Sequence, residues 1–317
     1  MTYFHKNIER VSVIIPSYNH SAYVEDCINS IANQQGLGVF FSLEIILVDD
    51  ASSDQTAAIA QQILLTHEGK IDYRVIVKET NSGLKHSIEM GLKVATGKFV
   101  QILASDDMLI DNKLKTQILF LEAHPKVDIV YSKTFQFDTE SGERTNYPYK
   151  EFEELANSGA STELFDAVAS LRIPLPLLQS ALSRSEPFGD AFTATRTFRS
   201  DDWAVMLHFA SKYDVGFAED AGFLYRRHPE NTSSQRDLAL ANQMEVILLL
   251  VPPTLRRRAL AKVLQIHALH FASISERKLA VRYLVLSITA TGIVGFWFRF
   301  AFRVFVKRIR TLGRTSG

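Results

Sequence analysis

Short apolar runs alternate with amphipathic stretches along the first 135 residues. Residues 11–15 (VSVII) are apolar and β-branched, which predicts a strand buried on both faces, and Pro16-Ser17-Tyr18-Asn19 ends it. Apolar residues at Tyr23, Cys27, Ile28 and Ile31 then follow helical spacing over 21–34, with Ser21 placed to cap. The alternation repeats as a strand at 43–48 with a helix at 54–65, then a strand at 73–77 with a helix at 84–95. A fourth strand at 99–103 stops at Ala104-Ser105-Asp106-Asp107, and a helix at 112–123 and a strand at 127–135 follow. Such alternation predicts an α/β, Rossmann-like, mostly parallel sheet flanked by helices on both faces. Sheets of this kind bind ligands beyond the carboxyl ends of their strands, so the loops after those strands are the ones to inspect.

The periodicity becomes irregular over 138–199, a stretch read as acceptor-side structure. A helix at 202–212 and short strands near Val215 and Phe223 complete the compact part at about residue 235. Helical segments dominate from there to residue 317. The expected organisation is one domain over 1–235, with a first half at 9–107 and a second at 108–235, followed by a helical extension over 236–317. There is no internal repeat and no low-complexity linker.

Composition narrows the class. Hydrophobic residues make up 46% and charged residues 22%, enough to bury a sizeable core and too apolar for a disordered chain. Cys27 is the only cysteine, which excludes an intrachain disulfide and a cysteine zinc cage and fits a reducing compartment. Residues 1–10 lack the apolar core of a secretion signal, so a cytoplasmic protein is expected. Net charge is formally zero, yet residues 251–317 carry thirteen Lys/Arg against a single acid, Glu276. A net +12 tail on a body of opposite sign points to an anionic partner for the tail.

Three acidic pairs sit at loop mouths: Asp49-Asp50 after the second strand, Asp106-Asp107 after the fourth, and Asp201-Asp202 at the start of a later helix. Clustered carboxylates repel unless a cation or a general-base role compensates. Each pair alone also fits a helix cap: Asp49-Asp50 with Ser52 and Ser53 ahead of the helix at Asp54, and Asp201-Asp202 as a helix N-terminus. The nine histidines show no HExxH spacing and no serine sits in a GxSxG elbow, which leaves hydrolase readings without support.

Five segments in order, VSVIIPSYNHSAYVEDCINSI, EIILVDDASSDQT, NSGLKHSIEMGLKVATGKFVQILASDD, SDDW and YRRHPENTS, cover roughly residues 9–235. Together they resemble inverting glycosyltransferases of family 2, of the bacterial surface-polysaccharide type, which have the GT-A fold. The resemblance implies a nucleotide-sugar donor, most readily a UDP-sugar, with Mn²⁺ or Mg²⁺ as cofactor. It places Pro16 and Tyr18 against the base and makes Asp50 an acceptor of a hydrogen bond from base or ribose. Asn81 and Gly83 belong to the loop near the nucleotide, Lys85 is set to meet a phosphate, and Asp106 joins the donor site. Asp107 and His228 are implied as metal ligands. Asp202 matches the general base that deprotonates the acceptor hydroxyl, while Asp201, Trp203 and Arg226 are candidates on the acceptor side. Many relatives have a further Asp where this chain has Ala104, which leaves fewer acids for the cation.

The tail carries its own signal. Residues 283–298 (YLVLSITATGIVGFWF) are uncharged, bounded by Arg282 and Arg299, and shorter than the ~20 residues a spanning helix needs. Aromatic and basic residues interleave in FWFRFAFRVFVKRIR, which suits a helix lying in an anionic lipid interface. The expected partners are a nucleotide-sugar donor, a glycan or lipid-linked acceptor and, through residues 276–317, the inner face of the cell membrane. The same apolar faces could instead pack in a homo-oligomer. Nucleic acid is not expected, because no nucleic-acid motif accompanies the basic tail. Two rival classes are a non-catalytic GT-A-fold binding protein and a nucleotidyltransferase, the latter lacking its Gly-rich, Lys-containing loop where PSYNHS stands.

Overall fold

The computed structural model describes residues 8–139, 141–196, 202–228, 236–274 and 276–291. In chain order its strands are β1 (Glu9–Ser17), β2 (Phe41–Asp49), β3 (Asp72–Val77), β4 (Phe99–Ile102), β5 (Met108–Leu109), β6 (Ile129–Asp138), β7 (Arg144–Asn146), β8 (Leu182–Arg184) and β9 (Val215–Arg227). The helices are α1 (Val24–Ala32), α2 (Thr56–Leu65), α3 (Leu84–Val94), α4 (Lys113–Ala123), α5 (Lys150–Ser158), α6 (Ser161–Ala169), α7 (Ser185–Ala194), α8 (Asp202–Lys212), α9 (Arg236–Leu249), α10 (Pro253–Ser273) and α11 (Arg277–Thr291), with one 3-10 turn at Leu178–Ser180.

The described residues form two compact units, one within Met1–Phe165 and Ile173–Asn231, the other within Asp166–Arg172 and Thr232–Gly317. The sheet lies in the first, in the order β3-β2-β1-β4-β8-β6-β9-β5, with β7 on β6. Strands β1 to β4 pair in parallel, β8 runs antiparallel to β4 and to β6, and β9 returns parallel to β6. Strand order reverses between β1 and β4, so the crevice of a doubly wound sheet opens beyond their carboxyl ends.

Burial fixes that crevice. Val11, Val13 and Ile15 of β1 and Leu43, Ile45 and Leu47 of β2 join Cys27, Ile28 and Ile31 of α1 and Leu114 and Ile118 of α4 in one cluster. Ile14 and Ile46, on the other face, are also fully buried, as β-branched runs between two helical layers must be. Helix α3 presses so closely there that a Cβ at Gly91 would stand 2.4 Å from Ile14 Cγ2. Each such side chain contributes ~1.5–3 kcal/mol by leaving water, so the loops at the strand ends hang from a rigid frame.

The structure differs from the sequence expectation in several elements. The irregular stretch holds α5, α6, α7, β7 and β8, whose strands have only three residues each and carry too few positions to show a period. The strands expected near Val215 and Phe223 are one thirteen-residue strand, β9. A register shift opposite Ser132/Lys133 lets exposed Glu219 and Asp220 bulge outward, and that break mimics a loop in the sequence. Ser21 does not cap α1: the helix begins after Tyr23 without a side-chain cap, and the Ser21 N–H donates to Asp54 Oδ2 at 3.0 Å.

In the second unit, α10 and α11 pack as a helical pair in which Ser287 Oγ donates to the Ala261 carbonyl at 2.8 Å. Along α11, Leu279, Val281, Val285, Leu286 and Ile288 are exposed together with Arg277, Lys278 and Arg282. Among the described residues no helix is long and apolar enough to cross a membrane. The aromatic-basic segment beyond residue 291 lies outside the described residues.

Candidate active site

The loops after β1 and β2 are laced together. The Asp50 N–H donates to the Ser17 carbonyl at 2.8 Å, the Asn19 N–H to Ser52 Oγ at 2.9 Å, and the Ser53 N–H to Asn19 Oδ1 at 2.8 Å. Asn19 and Ala51 both adopt positive φ, at 54° and 59°, to make this fit. Pro16 is buried in β1, while Tyr18 projects with 44% of its surface exposed.

The Asp49-Asp50 pair is spent on structure. Asp49 closes its own loop, accepting the Ser52 N–H at 2.9 Å and the Ser52 hydroxyl at 2.6 Å. Asp50 pairs with Lys78 and accepts the N–H groups of Ser82 (2.8 Å) and Gly83 (2.7 Å). Burial alone would raise its pKa; the Lys78 bond and those two backbone donors outweigh it and leave the carboxyl below the ordinary range. Asp50 therefore holds the Asn81-Ser82-Gly83 loop, whose Gly83 takes a φ of +90° that side chains rarely adopt. Neither carboxylate caps α2, which starts after Gln55 without a side-chain cap. Asn81 faces solvent beside this anchor. Lys85 turns away from it, bonding to the Thr195 carbonyl at the end of α7.

The Asp106-Asp107 pair is different. Asp107 is 1% exposed; its Oδ1 accepts the Arg226 N–H at 2.9 Å, and its Oδ2 is buried with no hydrogen-bond partner. Burial and then the Asp106 charge push its pKa well up. Asp106 Oδ2 lies 3.1 Å from His228 Nε2 and 3.9 Å from His20 Nε2. One donor atom each from His20, Asp106 and His228 falls within a 4.8 Å cluster, the set among the described residues suited to a metal ion. The sequence assigned the metal to Asp107 and His228 and gave Asp106 to the donor; the geometry brings Asp106 to His228 and commits Asp107 Oδ1 to the β9 backbone. A turn after β4, closed by the Asp107 N–H donating to the Ala104 carbonyl at 3.0 Å, separates the directions of the two side chains. Borderline nitrogen and hard oxygen donors, beside a buried carboxylate oxygen with no partner, fit a divalent cation.

Helix-free β9 delivers the last wall. Its Arg226 is 6% exposed, with Nε on the Asp106 carbonyl (2.9 Å), a guanidinium nitrogen on Asp26 Oδ2 (2.8 Å) and its plane 5.1 Å from the Tyr23 ring centroid. Arg226, expected on the acceptor side, thus clamps the Asp106 loop to α1. The Tyr23 and His228 rings also meet, with centroids 4.5 Å apart.

Asp202 opens α8 and faces solvent, yet protein crowds its carboxyl: burial pushes its pKa up against one donor, the Leu178 N–H. Burial, with a lesser contribution from the Asp202 charge, raises the phenols of Tyr131 and Tyr149. Tyr149 stacks on Tyr147 with centroids 5.7 Å apart, and Tyr147 feels the Asp107 charge.

A buried network supports the Leu178 turn. Gln117 Nε2 donates to the Ser180 carbonyl at 2.9 Å, Gln101 Nε2 to the Gln179 carbonyl at 2.8 Å, and fully buried Lys113 donates to both glutamines. Trp203, expected to offer a face to a sugar, is 4% exposed and belongs to the core of α8. Asp201 lies outside the described residues. His20 is the site residue that sequence reasoning passed over; its signal was its place just beyond the strand at the topological switch. A separate cavity of about 580 Å³, lined by residues such as Phe120, His124 and Gly216, opens at the amino-terminal ends of β6 and β9, away from these carboxylates.

Comparison with known proteins bears on this architecture. The model of the glycosyl transferase family 2 matches residues 12–173. The glycosyltransferase GlyG of Streptococcus pneumoniae serotype 4 is 28% identical over 231 residues, covering 69% of this chain and 71% of GlyG. The poly(ribitol-phosphate) β-N-acetylglucosaminyltransferase TarS of Staphylococcus aureus is 36% identical over 116 residues, covering 36% of this chain and 19% of TarS. The crystal structure of TarS residues 1–349 with UDP-GlcNAc superposes with a TM-score of 0.60 at 22% identity, over 89% of this chain and 81% of that one. The Pyrobaculum calidifontis mannosyltransferase in complex with GDP-Man and Mn²⁺ superposes with a TM-score of 0.58 at 18% identity, over 97% and 81% of the two chains. The sheet is thus that of the GT-A fold, and the chain belongs to glycosyl transferase family 2 and is a glycosyltransferase.

Proposed function

We propose that this glycosyltransferase moves a sugar from a UDP-sugar, with inversion, to a glycan or lipid-linked acceptor of a bacterial surface polysaccharide. The observation that carries the reading is the meeting of Asp106 with His228 and His20 beyond the switch point of the sheet. Tyr18 and the Asn81-Gly83 loop held by Asp50 form the nucleotide side. Asp106 and His228 would hold Mn²⁺ or Mg²⁺, whose charge offsets that growing on the departing diphosphate. Asp202 takes the proton of the acceptor hydroxyl as that oxygen attacks the anomeric carbon from the face opposite the diphosphate. An aspartate whose pKa is raised by the protein crowding its carboxyl is a better base for that step than one at its ordinary value.

The acceptor class draws on TarS, named for adding N-acetylglucosamine to poly(ribitol phosphate), and on the basic, partly apolar surface of α11, which suits the anionic inner face of a cell membrane. Release of UDP from a panel of UDP-sugars with a lipid-linked acceptor tests the reading. Asp202→Asn should lower turnover ~10²- to 10⁴-fold while leaving donor affinity within twofold or so. Near-normal turnover in that variant would remove Asp202 from the role of base.

A further inference from the structure

His20 is built into the cation cluster from two sides. Its N–H donates to Thr56 Oγ1 at 2.8 Å, which fixes the main chain, and its Nδ1 lies 2.8 Å from Ser105 Oγ, which fixes the ring. With Nδ1 held by the serine, Nε2 is the nitrogen that faces Asp106 Oδ2. The ring stands perpendicular to that of His228, with centroids 5.9 Å apart. Metal-binding histidines are set this way: one nitrogen is tied to an outer partner so that the lone pair of the other points at the ion.

We propose that His20 is a ligand of the divalent cation, giving a site of two imidazoles and one carboxylate that selects transition-metal ions over Mg²⁺. The inference rests on reading this cleft as a cation-assisted donor site, and deepens it. Mg²⁺ takes oxygen ligands and gives up its water reluctantly, whereas imidazole nitrogen suits the later first-row ions. Exchanging an oxygen donor for a nitrogen one therefore lowers the site's affinity for Mg²⁺ more than its affinity for Mn²⁺, Co²⁺ or Zn²⁺. The order expected from the donor set is Zn²⁺ and Co²⁺ above Mn²⁺, with Mg²⁺ last.

The test uses the full chain and MnCl₂ alone. Loss of the free Mn²⁺ electron paramagnetic resonance signal on titration gives the affinity, competition with MgCl₂ gives the selectivity, and pulsed measurement reads the nitrogen nuclei bound to the ion. The wild-type protein should bind Mn²⁺ at least ~10-fold more tightly than Mg²⁺ and show coupling to two imidazole nitrogens. His20→Ala should lose at least the ~10- to 100-fold in Mn²⁺ affinity that an outer-shell partner commands, and retain coupling to one nitrogen. His20→Asp should put an oxygen ligand in place of the nitrogen and narrow the Mn²⁺-over-Mg²⁺ preference. Ser105→Ala, which spares the ring, should weaken Mn²⁺ binding in the same direction and covers the case in which His20→Ala does not fold.

Unchanged Mn²⁺ affinity and nitrogen coupling in a folded His20→Ala variant would overturn the proposal. So would equal affinity of the wild type for Mg²⁺ and Mn²⁺, or no binding of Mn²⁺. Asp202→Asn should bind Mn²⁺ like the wild type. A protein with two-nitrogen Mn²⁺ ligation that never releases UDP would end the glycosyl-transfer reading and leave the role of His20 intact.

Discussion

Two Asp-Asp pairs follow β2 and β4, the strands on either side of β1 in the same sheet, and meet opposite fates. At the end of β2 every carboxylate oxygen faces a donor: Asp49 holds Ser52, and Asp50 holds Lys78, Ser82 and Gly83. At the end of β4 one oxygen of Asp107 is buried with no partner, and Asp106 reaches out to two imidazoles. The first pair stabilises a loop; the second costs stability and is retained where a cation can compensate. Identical dipeptides thus differ in use according to the donors around them, and only the three-dimensional arrangement reveals which is which.

The difference can be broken by substitution. Asp106→Asn should have the largest effect on activity, because losing a cation ligand forfeits several kcal/mol of transition-state stabilisation, a fall in turnover of at least ~100-fold. Its thermal midpoint should hold or rise, since one of two repelling charges is gone; a lower midpoint would mean that the pair is structural after all. Asp202 extends the contrast to the third acidic pair. With its pKa raised by burial, the active deprotonated form is lost as pH falls through a value above the usual ~3.9 of aspartate. The acid limb of kcat/KM should lie correspondingly high and vanish in Asp202→Asn.

Asp50→Ala reverses the pattern seen at Asp106. Buried Lys78 and two loop N–H groups lose their acceptor, which should cost ~1–3 kcal/mol of unfolding free energy and weaken donor binding through the loosened loop. Denaturant unfolding beside UDP titration reads both, and an unchanged midpoint would contradict the anchoring role. Asp49→Ala removes one local closure and should cost least, ~0.5–2 kcal/mol as for a lost cap, with turnover near normal in the surviving folded protein.

The parallel half of the fold was legible in the sequence because its strands are buried on both faces. Runs such as VSVII and EIILV leave no alternative to a covered sheet. Beyond Asp138 the elements are short, and β9 hides its continuity behind the outward bulge at Glu219-Asp220. The identities of the site were legible only through their order along the chain. Which of Asp106 and Asp107 faces the crevice, and whether Lys85 meets a phosphate or the end of α7, depend on side-chain direction. His20 escaped notice because a histidine in a turn after a strand has no period to betray it. Its place in the cluster emerges when Ser105 and His228, 85 and 208 residues away, come beside it.

The central claim is that the crevice beyond β1, β2 and β4 binds a sugar nucleotide through a divalent cation held at Asp106. Calorimetric titration of UDP into the protein, with Mn²⁺ and then with chelator, tests it most directly. The account predicts one UDP per chain in the presence of Mn²⁺, with binding lost in chelator and in Asp106→Asn. Equal binding of UDP with and without the cation, or none under either condition, would contradict it.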